Sequence, residues 1–553
     1  MKTKIYKYLL IGLLFSFVMS CKEDFLNVEP IATDNEASFY LTQKDAEMAT
    51  TAVYAQLAYM TAWDRETSML LGNMASDDAD AGGEDPGDVT SFQDIAKLKH
   101  IPSNENLRLP YGVFYKAIML ANKALEKLPN IPKIDKEASP AAINQMIAEI
   151  KALRALNTFQ LTQIYGEVPL VDHVLGSSEF IQPRAKMKDL YAFMEKDLKE
   201  AIEVLPLSYD AENVGRITKG AAMAILAKIY LFGSSYAKNY PGDARFEGLT
   251  ERWADALAMA ENVMNLGVYK LLGADGETYS CWRGDKVSGF RYLFTTAGDN
   301  SAEAILEVQN IQDGLKWLSS RGSSIVHWSG PRYYYDAKGV KQTTSYWGFD
   351  IPTKSLKDEF EAGDPRLDIT IHMPGGNDSI NLTGGWYKIC FDNSLTRMYQ
   401  NKYECSYDEY RKNTGSWNEA PMNFKILRYG EVVLTAAEAA VMLGNNDKAL
   451  KYINMIRSRA RACGGPGNTV PADLTGTVTL DQVKHERRCE LALEGKRFYD
   501  LVRWGDASAK LNGFVKGNDE SVVFVKGKHE FFPIPQAEVD VSKGVLKQYP
   551  GWE

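Results

Sequence analysis

Apolar residues recur at steps of three and four along the first half of the chain. The stretches that keep this period run from Gln43 to Met60, Tyr111 to Leu128, Ala141 to Tyr165, Met187 to Leu205, Thr218 to Phe232 and Arg252 to Leu266. Such steps return to one side of a 3.6-residue helix, so the spacing predicts helices that each bury one face. Ala222, Ile225, Leu226, Ile229 and Phe232 make the clearest such face.

The period returns near Leu427. Tyr429, Val432, Ala436, Ala440 and Leu443 line one side before Gly444-Asn445-Asn446 ends the helix, and Ala449, Ile453, Ile456 and Ala460 line the next. This antiparallel pair is similar to a tetratricopeptide unit, although the Trp and Leu-Gly of the full motif are absent. The predicted fold class is mostly α, a frame of TPR-like helix pairs interrupted by insertions. Between 267 and 426 the helical period fades, Gly and aromatics rise, and Ala304 to Val308 and Trp386 to Phe391 read as strands. A long, aromatic-rich insertion of this kind is expected to carry the ligand-facing surface. The helical frame is then 37–266 and 427–505, the ligand lobe 267–426 and a C-terminal tail 506–553.

The first residues decide the compartment. Lys2, Lys4 and Lys7 precede an apolar run from Tyr8 to Met19 that is too short to span a bilayer, which is the anatomy of an export signal over 1–20. Ser20 directly before Cys21, with Val18 three residues upstream of it, resembles the bacterial lipobox, which implies lipidation at Cys21. Stable anchoring takes about two acyl chains. Residues 21–36 carry Pro, Asn and acids without periodicity and read as a flexible tether. Loss of 1–20 removes three lysines and no acid, so the net charge goes from −9 to −12. No basic stripe for phosphate remains, so nucleic acid is excluded as a partner. Five cysteines lie beyond Cys21, scattered and without a CxxC pair, and indicate neither a disulfide framework nor a zinc site.

Four stretches carry a family resemblance. They are ALRALNTFQLTQIYGEVPLV from Ala152, GRITKGAAMAILAKIYL from Gly215, the helix pair from Leu427 to Ala460, and ERRCELALEGKRFYDLVRWG from Glu486, closed by Phe532-Pro533-Ile534-Pro535 and Tyr549-Pro550-Gly551. In this order they resemble the SusD/RagB family of surface lipoproteins. The resemblance implies a SusD-like fold and a lipid anchor in the outer membrane facing the cell exterior. It further implies capture of a nutrient glycan, without catalysis, for a SusC-like TonB-dependent transporter. A peptide-binding lid or a surface glycoside hydrolase is the alternative. In the Glu486 stretch, Leu491, Gly495, Phe498 and Val502 repeat at steps of four, three and four. It reads as one docked helix whose ions pair at its rim.

No HExxH, GxSxG, P-loop or GxGxxG pattern is present, so no catalytic residue and no cofactor is expected. The acidic run Ser76 to Asp88 fails the EF-hand pattern at Gly82 and Val89, which leaves only an irregular structural calcium site open. Its carboxylates can also accept hydrogen bonds from sugar hydroxyls, and Asp77 and Asp78 are the candidates. A sugar ring offers a flat C–H face that stacks on aromatics. Trp282, Trp317 and Trp328, with Trp347 next, are therefore the expected platform.

Overall fold

The computed structural model describes residues 39–58, 60, 67–282, 286–311, 322–382, 384–403, 405–406, 420–517 and 519–553. The signal, Cys21, the tether and Trp317 lie outside them. The principal helices are α1 (Gln43–Ala58), α2 (Thr67–Met74), α3 (Thr90–Ala96), α4 (Glu105–Lys127), α5 (Pro140–Tyr165), α6 (Met187–Val204), α7 (Lys219–Asn239), α8 (Trp253–Asn265), α9 (Tyr429–Met442), α10 (Asn446–Ala462), α11 (Leu480–Leu491) and α12 (Arg497–Arg503). The chain is mostly α, as the periodicity predicts.

Helix ends follow local chemistry. Ser139 accepts from the Ala142 amide ahead of Pro140, Thr218 accepts from Ala221, and Thr479 with Gln482 forms a capping box. α4 begins six residues before the predicted Tyr111. Asn104 caps it and the helix runs through Pro110. Sequential helices pack as hairpins, α4 on α5, α5 on α6, α7 on α8 and α9 on α10, and one apolar cluster runs through all of them.

The family stretches meet inside this frame. The Ile164 carbonyl accepts from the Phe532 amide at 2.9 Å, and the Tyr549 hydroxyl accepts from the Glu167 amide at 2.7 Å. Gly166, at φ +71°, lies where a Cβ would stand 2.8 Å from both Phe531 and Tyr549, so only glycine allows this approach.

The Glu486 stretch departs from its reading. It is two helices, α11 and α12, broken at Leu493 and Gly495, both with positive φ. The break brings the Gly495 carbonyl against Gly72 of α2. Its ions are in the core and not at a rim. Glu490 accepts from Arg428 at 2.6 Å and from Arg459, and pairs with Arg366 at 3.2 Å; Lys402 donates to Glu494 at 2.7 Å. All six side chains are essentially without solvent contact. Burying ions is unfavourable unless each is paired and hydrogen-bonded, and here the network supplies both.

The lobe between the two helical blocks is built from small antiparallel sheets. β1 (Ala79–Gly82) pairs with β5 (Phe349–Pro352), Asp80 opposite Ile351. β2 (Ala304–Val308), at its predicted place, pairs with β8 (Phe424–Arg428). β3 (Tyr333–Tyr335), β4 (Lys341–Thr343), β6 (Ser379–Leu382) and β7 (Gly385–Ile389) form one sheet in the order β4-β3-β7-β6.

Candidate glycan-binding face

Side chains alternate across the four-stranded sheet, and the register sorts them. Tyr334 and Tyr387 meet edge to face at 5.1 Å on the inner side, together with buried Ile380 and Ile389. Tyr333, Tyr335, Lys388 and Trp386 therefore share the outer side. Trp386 is 44% exposed, and Trp282 stacks on it with ring centroids 6.0 Å apart and planes 16° from parallel. The Cys390 amide bonds to the Tyr333 carbonyl, so Trp386 lies four residues along the strand from Tyr333, about 13 Å away at roughly 3.3 Å per residue.

The other end of the outer face is polar. Gly82 and Gly83, with φ of +73° and +93°, turn the acidic run out of β1 toward solvent. Glu84 and Asp88 then meet Arg332 at 2.8 and 3.3 Å, and Arg332 also donates to the Trp347 carbonyl at 2.9 Å. The Tyr333 hydroxyl approaches Glu84 at 3.5 Å, and the Lys341 ammonium lies 4.1 Å from the centre of its ring. Tyr335 bonds to Asp392 at 3.4 Å. The face thus offers an aromatic pair at one end, tyrosines along it and a fixed guanidinium–carboxylate group at the other, a pattern suited to a ligand with apolar faces and hydroxyl edges.

Of the residues expected from sequence, Trp282 is on this face and Trp347 reaches it through its carbonyl. Trp328 is half-buried, edge-to-face with Trp347 at 4.6 Å and against Phe92 and Phe349 at 5.2 Å each, so it belongs to the wall behind. Asp77 and Asp78 are corrected. Both are buried; Arg497 donates to Asp77 at 2.8 Å and Arg488 to Asp78 at 2.8 Å. Facing arginines take up both carboxylates, and the Thr353 amide and hydroxyl hold the Asp78 and Asp77 carbonyls, which keeps the pair from any sugar. The two guanidiniums hold the Asp77 carboxyl down at about 2 against the opposing effect of burial. Arg332 takes up both Glu84 and Asp88, and no group of three or more metal-ligating side chains able to hold an ion occurs among the described residues.

The sequence reading missed Glu84, Asp88, Arg332 and the alternation that puts Trp386, Tyr335 and Tyr333 on one side. The signal for the first two was Gly82-Gly83, which divides the acidic run into a buried half and an exposed half.

Comparison with known proteins follows the same lines. A model of the SusD family matches residues 296–552, and one described as starch-binding, associating with the outer membrane, matches residues 24–231. A SusD-like protein of Bacteroides ovatus is 26% identical over 91% of this chain and 83% of its own. The starch-binding protein SusD of Bacteroides thetaiotaomicron is 24% identical over the full length of both chains. A solved laminarin-binding SusD-like protein superposes with a TM-score of 0.73 at 28% identity, covering 92% of this chain and 99% of that one.

Proposed function

We propose that this chain, which belongs to the SusD/RagB family, is a cell-surface lipoprotein. In this reading it binds a nutrient glycan on the outer face of the β4-β3-β7-β6 sheet. Anchoring through lipid on Cys21 accords with the signal, and no described helix is long and apolar enough to cross a membrane. The bound glycan would pass to a SusC-like TonB-dependent barrel on which the chain sits as a lid. It binds without turnover.

One observation carries the reading. The Trp282–Trp386 stack is held partly in solvent at the end of a face whose other end is the Arg332–Glu84–Asp88 group. An aromatic pair left in water is costly unless something covers it. The laminarin-binding relative makes a neutral glucan the first class to test.

Titration calorimetry against glucans of both anomers, other neutral glycans and peptides tests it. Trp386→Ala and Trp282→Ala should each weaken glycan binding at least tenfold, about 1.4 kcal/mol, with the melting temperature unchanged because the rings lie outside the core. Unchanged affinity in both variants, or heat from peptides alone, refutes the assignment. Pull-down of the intact envelope complex without a TonB-dependent barrel refutes the partnership.

A further inference from the structure

A groove of about 220 Å³ opens between the loop from Leu207 to Thr218, the turn after α8 and the start of β2, and shares no lining residue with the sheet face. An apolar cavity of about 150 Å³ is enough to hold benzene, so this one has room for a six-membered ring with substituents.

Its walls are two tyrosines fixed from behind. The Tyr269 hydroxyl is tied to Thr218 at 2.9 Å, and its ring lies against Gly220, where a Cβ would meet it at 2.5 Å. Tyr209 donates to the Ile217 carbonyl at 3.1 Å. Leu207, Val214 and Val268, from separate turns, stand 47%, 54% and 40% exposed around the mouth. Exposed apolar side chains are usually scattered, and their convergence on one concavity marks a contact site. Two further features lie at the floor. Ser301 Oγ is shielded from water without a hydrogen-bond partner. Asn300 holds φ +55°, a left-handed state that Asn adopts readily, and its amide is bonded to Glu307 at 2.8 Å.

Charge selects further. Arg216 is committed to Glu149 at 2.8 Å and to Asn213 at 3.0 Å, and Lys425 beneath the floor neutralises Asp299 and Glu307. A neutral ligand fits better than an anion. We infer that the groove is a second carbohydrate site, which takes one sugar ring between Tyr209 and Tyr269 with a hydroxyl on Ser301. The ligand class rests on the glycan-binding reading, whereas the site does not. Two sites on one chain would raise its avidity for a long glycan without any new contact at either.

Saturation-transfer NMR with methyl glucosides of both anomers, galactose and mannose tests the proposal on the full chain, wild type, Val268→Trp and Trp386→Ala. Val268 is exposed at the mouth, so tryptophan there fills the groove without disturbing the core. A signal from at least one sugar should survive Trp386→Ala, fall at least tenfold in Val268→Trp and weaken in Ser301→Ala. No signal in the wild type, a signal indifferent to Val268→Trp, or one lost in Trp386→Ala overturns the proposal. Glycan binding sensitive only to Trp386 would sink the groove and leave the face standing. A groove signal without any long-glycan binding would do the reverse.

Discussion

Asp350 carries a buried carboxyl in the lobe, and replacing it tests how burial is balanced there. Its backbone in β5 is left-handed, φ +53°, and its carboxyl is fully buried. Asn73 and Gln400 donate to Oδ2 at 2.8 and 3.3 Å, whereas Oδ1 has no hydrogen-bond partner. Burial pushes the carboxyl up to about 7, reinforced by the charge of Asp78 and only partly offset by the two amides and the Lys516 ammonium. The folded chain therefore binds this proton more tightly than the unfolded one. The resulting stabilisation is complete below the unfolded value of 3.8 and is lost as pH rises through 7. Linkage puts the cost of keeping an ionisable group there at roughly 1.7 kcal/mol at pH 5 and roughly 4.3 kcal/mol at pH 8. Asp350→Asn keeps the shape, tolerates positive φ and does not titrate. Any fixed penalty of the amide cancels between the two pH values. Urea midpoints followed by circular dichroism from pH 5 to 8 should show the variant gaining about 2.6 kcal/mol on the wild type across that range. Parallel curves would mean that Asp350 ionises freely and that the burial argument is wrong.

His100 should show the opposite slope. Its ring is buried against Phe532 and Trp552, and burial with the neighbouring His529 and Lys528 holds it down at about 3, against a weaker opposing contact with the Asp94 backbone. The neutral ring's stabilisation is full above 6.5 and fades as pH falls toward 3, so His100→Phe should flatten the acid loss between pH 7 and 5 by about 2 kcal/mol in the same urea series. Glu490→Gln leaves Arg366, Arg428 and Arg459 crowded about a neutral amide. It should cost about 3–5 kcal/mol in urea midpoint, and a loss under 1 kcal/mol would show that the network relaxes. Gly72→Ala puts a Cβ 2.1 Å from the Gly495 carbonyl and should lower the melting temperature by several degrees, whereas Gly444→Ala, with open space around it, should show only the milder cost of its left-handed backbone.

Much of the frame was legible because helices announce themselves locally. A face such as Ala222, Ile225, Leu226, Ile229 and Phe232 is written within one helix, and caps such as Ser139-Pro140 sit beside what they cap. Tertiary pairing was not legible. Asp77 and Asp78 look like a solvated acidic pair until Arg488 and Arg497, four hundred residues on, are brought against them by the α11–α12 break. The one-helix reading of the Glu486 stretch failed for the same reason. The repeat of Leu491, Gly495, Phe498 and Val502 passes smoothly across the break, whereas the turn itself goes with a tertiary contact, that of Gly495 with Gly72 of α2. On the sheet, Tyr333-Tyr334-Tyr335 reads as three equal aromatics until pairing with β7 assigns Tyr334 inward and its neighbours outward.

This division bears on where ligand choice can change. Neither family model spans 232–295, the stretch that carries Trp282, whereas Trp386, on which it stacks, lies within 296–552. The motifs that identify the family are spent on buried ions and on docking the C-terminal segment to the end of α5, contacts in which a lost partner leaves a charge or an amide stranded. Substitutions at Trp282, Glu84 or Arg332 strand nothing in the core. A frame held by buried pairs and a face held by surface residues can therefore diverge independently, so the face can change without a new core.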